Sequence, residues 1–300
     1  MRSASPRNGR RLLPLAVLLG LALGACQTTK ETAETGAANA ASYDALMRLA
    51  DNTRGQGDLY TAATLYRRAH AANSKRVEPL LALGDVLIDQ DSPRESLDVW
   101  RQALTLAPSD ATALRGYGRA LIALDQPEEA ARQYATVLAA DPKDRRALNG
   151  LGVAKDMMGD HAGAQEQFRA ALALAPNDTA TLNNLGFSHI LAGNAPEAIR
   201  ILEPLARSPA ASALQRQNLA LAYGMAGREQ DAARMARLDL DEAAVQRNLT
   251  YYRQARVSGI ERPAETGAAP ATAPRPAVVA APTPPPASAG RKRQASASAS

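Results

Sequence analysis

A 34-residue period runs through most of the chain and constrains its fold more than any other feature. A small residue recurs early in each unit, a second small residue follows twelve positions later, and a large apolar side chain follows four positions after that, except in the last unit. The three series are Ala50, Gly84, Gly118, Gly152, Gly186 and Ala220, then Ala62, Ser96, Ala130, Ala164, Ala198 and Ala232, then Tyr66, Trp100, Tyr134, Phe168, Leu202 and Ala236. Such regularity is typical of stacked repeats, which share one core between neighbouring units.

Two helices per unit are predicted from the composition and the turn residues. Alanine and leucine dominate, aromatic residues make up only 4% of the chain, and alternating β-branched stretches are scarce, which favours helices over strands. Turn residues such as Gly159–Asp160 stand in the middle of each unit and separate its two helices. Pro108, Pro142 and Pro176 close three units, because proline ends a preceding helix.

From Tyr43 to Gln246 the spacing, the small residues, the aromatic position and the closing prolines resemble the tetratricopeptide repeat. The resemblance implies an all-α fold, a right-handed superhelical solenoid of about six helix-turn-helix repeats over residues 42–246. Because such arrays need a solubilising cap, residues 247–260 are predicted to form a C-terminal capping helix.

The basic charge of the chain does not indicate a nucleic-acid partner. The formal charge is +5, but four of the 35 basic residues lie within residues 1–25, where no acidic residue occurs. Without that segment 31 basic residues face 30 acidic ones. We therefore expect no nucleic-acid binding, which requires a concentrated basic surface.

The N-terminus has the architecture of a secretory signal over residues 1–25, with a basic start, an apolar run over residues 12–23, and Gly24–Ala25 before Cys26. Leu23–Cys26 resembles the lipobox of bacterial lipoproteins, which implies lipidation of Cys26, the sole cysteine. By the same resemblance, Gln27 after the cysteine implies sorting to the outer membrane, with the body facing the periplasm. A plain secretory signal with a chance cysteine is the alternative.

Two segments outside the repeats have no periodic apolar face. Residues 26–41 are small and polar, as in a flexible tether. Residues 261–300 are rich in Ala, Pro and Ser, a composition that predicts disorder.

No pattern in the sequence indicates catalysis, a cofactor, a small-molecule substrate or a metal. The three histidines, His70, His161 and His189, fall at unrelated positions of three repeats. We expect His189 in the core and the other two exposed. No nucleophile elbow, phosphate-binding loop or zinc-protease motif occurs, so the protein is not expected to be an enzyme.

The remaining function is recognition of a protein through the groove lined by the first helix of each repeat. By resemblance, the groove positions of the third to sixth units carry Arg115, Arg119, Arg146, Asn149, Asn183, Asn184, Phe187, Gln217 and Asn218. Amide side chains can both donate to and accept from a peptide backbone, and arginine can hold a carboxylate with two hydrogen bonds. The alternative is that these residues are solvated or form caps within the repeats.

The C-terminal half resembles TadD-type lipoproteins of tight-adherence (Flp) pilus systems, in the run over residues 219–227 and in Asn248–Tyr252. The resemblance implies a helper in assembling the pilus secretin or other components of that system. A general periplasmic adaptor for outer-membrane protein assembly or cell-wall machinery is the second hypothesis. A third is an enzyme or its regulatory subunit, which a convergent acid, base and nucleophile would indicate.

Overall fold

The computed structural model describes residues 42–258, and every regular element in that range is a helix. The predicted signal peptide, Cys26, the tether and the tail from residue 261 lie outside the described residues. The helices are α1 (42–55), α2 (Leu59–Ala72), α3 (Glu78–Asp89), α4 (Pro93–Leu106), α5 (Ala111–Ala123), α6 (Pro127–Ala140), α7 (Arg145–Met157), α8 (His161–Leu174), α9 (Thr179–Leu191), α10 (Ala195–Ala206), α11 (Ala213–Met225), α12 (Glu229–Ala236) and α13 (Glu242–Ser258). The predicted all-α succession of helix pairs is confirmed.

The described residues belong to two compact bodies, one ending at Pro79 and one beginning at Leu80. In the first body, Tyr66 of α2 is fully buried, and its hydroxyl lies 2.7 Å from a carboxylate oxygen of Asp51 in α1. The second body contains most of α3 and all of α4 to α13, in which each helix packs against the next from α4 to α13. None of the helices in residues 42–258 is both long and apolar enough to cross a bilayer.

Side-chain caps and tight turns set the helix boundaries in the second body. Asp110, Asp144 and Asp178 each accept a hydrogen bond from a backbone N–H in the first turn of α5, α7 and α9, which satisfies a donor that the helix leaves unpaired. Within the repeats, the turns between paired helices require a left-handed residue. Glycine fills that position in four repeats, and Asp91 and Asp125 fill it in the other two, with φ of 56° and 57°.

Large side chains seated on glycines hold neighbouring helices together. The Trp100 ring of α4 lies against Gly84 of α3 and Gly116 of α5, and a Cβ atom at either glycine would overlap the ring. Tyr134 of α6 is placed in the same way between Gly118 and Gly150. Both rings are buried, so each ring fills the space between the two helices of its own repeat and the first helix of the next.

The last repeat departs from this pattern, and α13 completes it. Its second helix, α12, has only eight residues, and Ala236 stands where the other repeats carry a large side chain. The ring of Tyr252 in α13 instead lies against Gly224 of α11. Val245 and Leu249 of the same helix join this core cluster. The capping helix was predicted over residues 247–260, and α13 starts before that range, at Glu242.

Replacing Gly116 with Ala is expected to destabilise the second body by about 1–3 kcal/mol, because the added methyl group overlaps Trp100 and the packed core cannot yield freely. Urea denaturation measures this effect. The control is Gly55→Ala, since no atom lies within 4 Å of a Cβ there and alanine is the better helix former. Equal stability of Gly116→Ala and the unmodified protein would show that the ring contact does not hold the helices together.

Candidate protein-binding surface

Two of the three arginines predicted for the groove are paired within the chain. Arg115 of α5 forms an ion pair with Asp144, and its second terminal nitrogen donates to Thr112 Oγ1 at 3.0 Å. Arg119 of α5 forms an ion pair with Asp85 of α3. Their side chains are only 17% and 16% exposed. The prediction that these arginines are available to hold a partner's carboxylate is therefore corrected, because each already has a carboxylate from a neighbouring repeat.

Four of the predicted groove amides form two pairs that link successive first helices. Asn184 Nδ2 of α9 donates to Asn149 Oδ1 of α7 at 3.1 Å, and Asn218 Nδ2 of α11 donates to Asn183 Oδ1 of α9 at 3.0 Å. In each pair the partners are 35 residues apart. Asn183, Asn184 and Asn218 are buried, with at most 2% of each residue exposed, while Asn149 is half-buried.

The position of Asn184 and Asn218 in the repeat explains their burial. The third and fourth repeats have Gly116 and Gly150 at this position, where they contact the rings of Trp100 and Tyr134. The position therefore faces the preceding repeat rather than solvent. The side chain of an asparagine placed there is directed between the repeats, within reach of the preceding first helix. The assignment of Asn184 and Asn218 to an open groove wall is corrected to a place between repeats.

Several atoms of this amide row have no hydrogen-bond partner among the described residues. They are Asn183 Nδ2, Asn184 Oδ1, Asn218 Oδ1 and Gln217 Oε1. Gln217 is half-buried, and its Nε2 lies 3.4 Å from an oxygen of Asp239. The guanidinium of Arg216 on the same carboxylate lowers the pKa of Asp239, which keeps Asp239 an acceptor at neutral pH. A buried amide atom without a partner costs about 1–3 kcal/mol, so the row requires a compensating role.

Phe187 and Arg146 have opposite environments. Phe187 of α9 is 5% exposed and belongs to the core cluster that contains Leu219 and Leu221 of α11. Its assignment to the groove is corrected, since neighbouring apolar side chains cover the ring. Arg146, in the first turn of α7, is exposed. It is the predicted groove cation that is accessible to a partner.

The histidines are placed partly as expected. His189 is buried, and burial lowers its pKa, which keeps the imidazole neutral. His161 is half-buried and its Nδ1 lies 2.9 Å from Asp156 Oδ1. His70 is half-buried as well, so the expectation that His70 and His161 are exposed was wrong. Within residues 42–258, no three His, Cys, Asp or Glu side chains are grouped as metal ligands.

Sequence reasoning missed the carboxylates that complete this surface, namely Asp85, Asp144 and Asp239. A usable signal existed for Asp144, because Asp110, Asp144 and Asp178 recur at the 34-residue spacing before each first helix. Their capping role follows from that pattern. The second contact of Asp144, to Arg115 of the preceding repeat, depends on how the repeats stack.

The helix pairs and the contacts between successive first helices define a helical-repeat scaffold. A family model described as Tetratricopeptide repeat matches residues 81–128 and 118–179, and a second with the same description matches residues 157–219. These matches span residues 81–219, and the described helix pairs have the fold of tetratricopeptide repeats. Proteins of this family are in general scaffolds that bind other proteins, without catalysis.

Solved structures with the same fold include three that share most of their length with this chain. A tetratricopeptide repeat protein from Parabacteroides merdae is 18% identical, with a TM-score of 0.60, covering 70% of this chain and 84% of its own. PilW, described as a widely conserved type IV pilus biogenesis factor, is 21% identical with a TM-score of 0.59, covering 72% and 98%. PilF of Pseudomonas aeruginosa is 18% identical with a TM-score of 0.55, covering 74% and 99%. At these identities the likeness shows the fold. No curated protein matches the sequence significantly.

Replacing Asp144 with Ala is expected to destabilise the second body more than replacing Asp110. Both carboxylates cap a first helix, each accepting from a backbone N–H at 2.8 Å, and losing a cap costs about 1 kcal/mol. Asp144→Ala also leaves Arg115 half-buried without its carboxylate, which adds about 1 kcal/mol or more. Urea denaturation compares the two variants. Equal losses would mean that the Arg115 pair contributes nothing.

Proposed function

We propose that this protein is a non-catalytic adaptor that binds a protein segment along the first helices of its fourth to sixth repeats. The observation that carries the proposal is the accessible polar strip beside the buried amide pairs, formed by exposed Arg146 and half-buried Asn149 on α7 and by half-buried Gln217 on α11. The second repeat carries Leu81 where the fourth to sixth repeats carry Asn149, Asn183 and Gln217, so an amide is not needed at this position to build a repeat. Amide side chains that keep accessible surface, such as Asn149 and Gln217, can both donate to and accept from a polypeptide backbone.

The surface beside the amide row favours a partner segment with negative charge. Arg146 is exposed at the start of α7, and Arg145 next to it is 3.8 Å from its nearest carboxylate, Asp178. Lys143 in the preceding turn is exposed as well. Cations at a helix N-terminus are disfavoured by the helix dipole, so stability does not account for them. An acidic side chain or a C-terminal carboxylate of the partner accounts for all three.

The biological setting that we propose is assembly of the tight-adherence (Flp) pilus secretin at the outer membrane. The resemblance of residues 219–227 and Asn248–Tyr252 to TadD-type lipoproteins supports this setting, as does the fold shared with PilW and PilF. In this proposal Cys26 is lipidated and the repeats face the periplasm. Three acyl chains, as the lipoprotein resemblance implies, exceed the two that hold a protein stably on a bilayer.

A general periplasmic adaptor for outer-membrane protein or cell-wall machinery is the second candidate. The fold likeness extends equally to a tetratricopeptide repeat protein from Parabacteroides merdae, with a TM-score of 0.60 against 0.59 for PilW. The two candidates differ in the partner, so identification of a secretin separates them.

Cys26→Ser is expected to move the protein from the outer-membrane fraction into the soluble periplasmic fraction, because it removes the sulfur that carries the lipid. Membrane fractionation followed by immunoblotting measures the change, and the Gln27→Ala variant, which retains the cysteine, is the control. Retention of Cys26→Ser in the outer-membrane fraction would contradict the lipid anchor. It would not bear on the proposed binding surface.

Arg146→Glu is expected to reduce binding of the partner at least about tenfold, a change that corresponds to about 1.4 kcal/mol. It should leave stability unchanged or slightly higher, since an acidic residue suits the first turn of α7. Crosslinking in native membranes, with the partner identified by mass spectrometry, supplies the binding assay. Arg132→Glu makes the same charge change on α6, where Arg132 is exposed, and is the control. Equal recovery of the partner with both variants would contradict this surface.

A further inference from the structure

The first helices of the fourth, fifth and sixth repeats each end in a large apolar residue. Met157 is the last residue of α7, Leu191 of α9 and Met225 of α11, and each is half-buried. Met157 packs against the core cluster that contains Val153, and the other two pack against the cluster that contains Phe187. These three side chains, here called the apolar row, therefore extend the core outward and keep accessible apolar surface.

The first three repeats show that the apolar row is not needed to build a repeat. The equivalent positions, at multiples of 34 residues, carry Gly55, Asp89 and Ala123. All three of these residues are exposed. Apolar surface left in water is unfavourable, so packing within a repeat does not account for three large apolar residues here. The row is confined to the same three repeats that carry the polar strip.

The apolar row and the polar strip share one side of the first helices. Met157 follows Arg146 by eleven residues on α7, which is about three turns, so the two side chains leave the helix on the same side. The helical rise separates them by about 16 Å, and Asn149 lies between them. On α11, Gln217 and Met225 are eight residues apart, as Asn149 and Met157 are. A segment that crosses these helices thus meets a cation on one edge, amides inside it, and apolar side chains on the other edge.

This order of groups fits an extended segment. Side chains of an extended chain alternate between two opposite sides, and the backbone lies between them. Acidic side chains would meet Arg146 on one edge, and apolar side chains would meet the row on the other. The backbone would then run over Asn149 and Gln217. A helical segment bonds its backbone groups internally, so amides placed between the two edges would find no backbone partner.

We propose that Met157, Leu191 and Met225 form the apolar edge of the binding surface, and that the partner is an extended segment with alternating acidic and apolar side chains. This inference rests on the proposed function and specifies its partner. Neighbouring helices pack about 8–10 Å apart, so the path from α7 to α11 is about 16–20 Å long. An extended segment covers that path with about six residues at about 3.3 Å each. Thioether side chains adapt to irregular shapes, so several apolar residue types suit the segment.

Site-specific photocrosslinking of the full chain in cells locates the segment. A benzophenone amino acid in place of Leu191 should crosslink a segment that mass spectrometry shows to alternate between acidic and apolar residues. The control places the same group at Leu174, an exposed leucine at the end of α8, which should not capture that segment. A captured segment with apolar residues three and four apart, as in an amphipathic helix, would overturn the inference.

The photocrosslinker in place of Asn149 separates this inference from the proposed function. A crosslink at position 149 with none at position 191 would overturn the apolar edge and leave the proposed function standing. Crosslinks at neither position would contradict the proposed function itself.

A synthetic peptide of the captured segment then measures the contribution of the row by fluorescence anisotropy. The triple variant Met157→Ala, Leu191→Ala and Met225→Ala should bind at least about tenfold more weakly, because it loses the apolar edge and keeps the polar strip. Alanine is the residue of the third repeat at this position and a good helix former, so the fold should persist, which circular dichroism verifies. The control, Leu106→Ala with Leu174→Ala, removes exposed leucines from the ends of α4 and α8 and should bind as the unmodified protein does.

Two further variants make each outcome decisive. Met157→Leu with Met225→Leu keeps the apolar edge and should retain affinity, whereas a purely steric role of methionine would not allow it. If the triple variant does not fold, Met157→Ala alone should show a smaller loss of the same kind. A loss of affinity in Arg146→Glu without a loss in the alanine variants would overturn the apolar edge only, and a loss in neither would contradict the proposed surface as well.

Discussion

The contact between a large ring and the bare backbone of two helices is the constraint on which the second body depends. Trp100 and Tyr134 each lie between a glycine of their own repeat and a glycine of the next. Dispersion and burial of apolar area act only when surfaces meet closely, and a methyl group at either glycine would prevent that approach. The rings set the distance between successive first helices. At that distance, polar side chains of one first helix can form hydrogen bonds or ion pairs with those of the next.

The polar links between repeats change character along the second body. In the third repeat they are ion pairs, from Arg115 to Asp144 and from Arg119 to Asp85. From the fourth to the sixth repeat they are pairs of asparagine amides, in which Asn184 and Asn218 replace the glycine that contacts the ring in earlier repeats. Each amide pair leaves one donor and one acceptor over, and Asn183 Nδ2, Asn184 Oδ1 and Asn218 Oδ1 are buried without a partner among the described residues. Of the predicted groove residues, Arg146, Asn149 and Gln217 keep accessible surface for a partner.

The end of the repeat array shows how a degenerate repeat is compensated. Ala236 leaves room where the earlier repeats carry Trp100, Tyr134 or Phe168, and the eight-residue α12 is too short to cover α11 alone. Tyr252 from α13 packs on Gly224 of α11. The same aromatic-on-glycine contact is thus made by a helix outside the repeat pattern, because the apolar face of α11 must be covered.

The 34-residue register, the helix pairs and the turn positions could be predicted from the residues alone, because they depend on local periodicity, on capping side chains and on proline and glycine. It also indicated that His189 belongs to the core. Which side chains of the first helices are accessible follows from how the repeats pack, since Arg115, Arg119, Asn184 and Phe187 are each covered or paired by a residue about one repeat away. The physical reason is that helical periodicity fixes the direction of a side chain from its own axis, whereas its burial depends on the length and charge of side chains from neighbouring repeats.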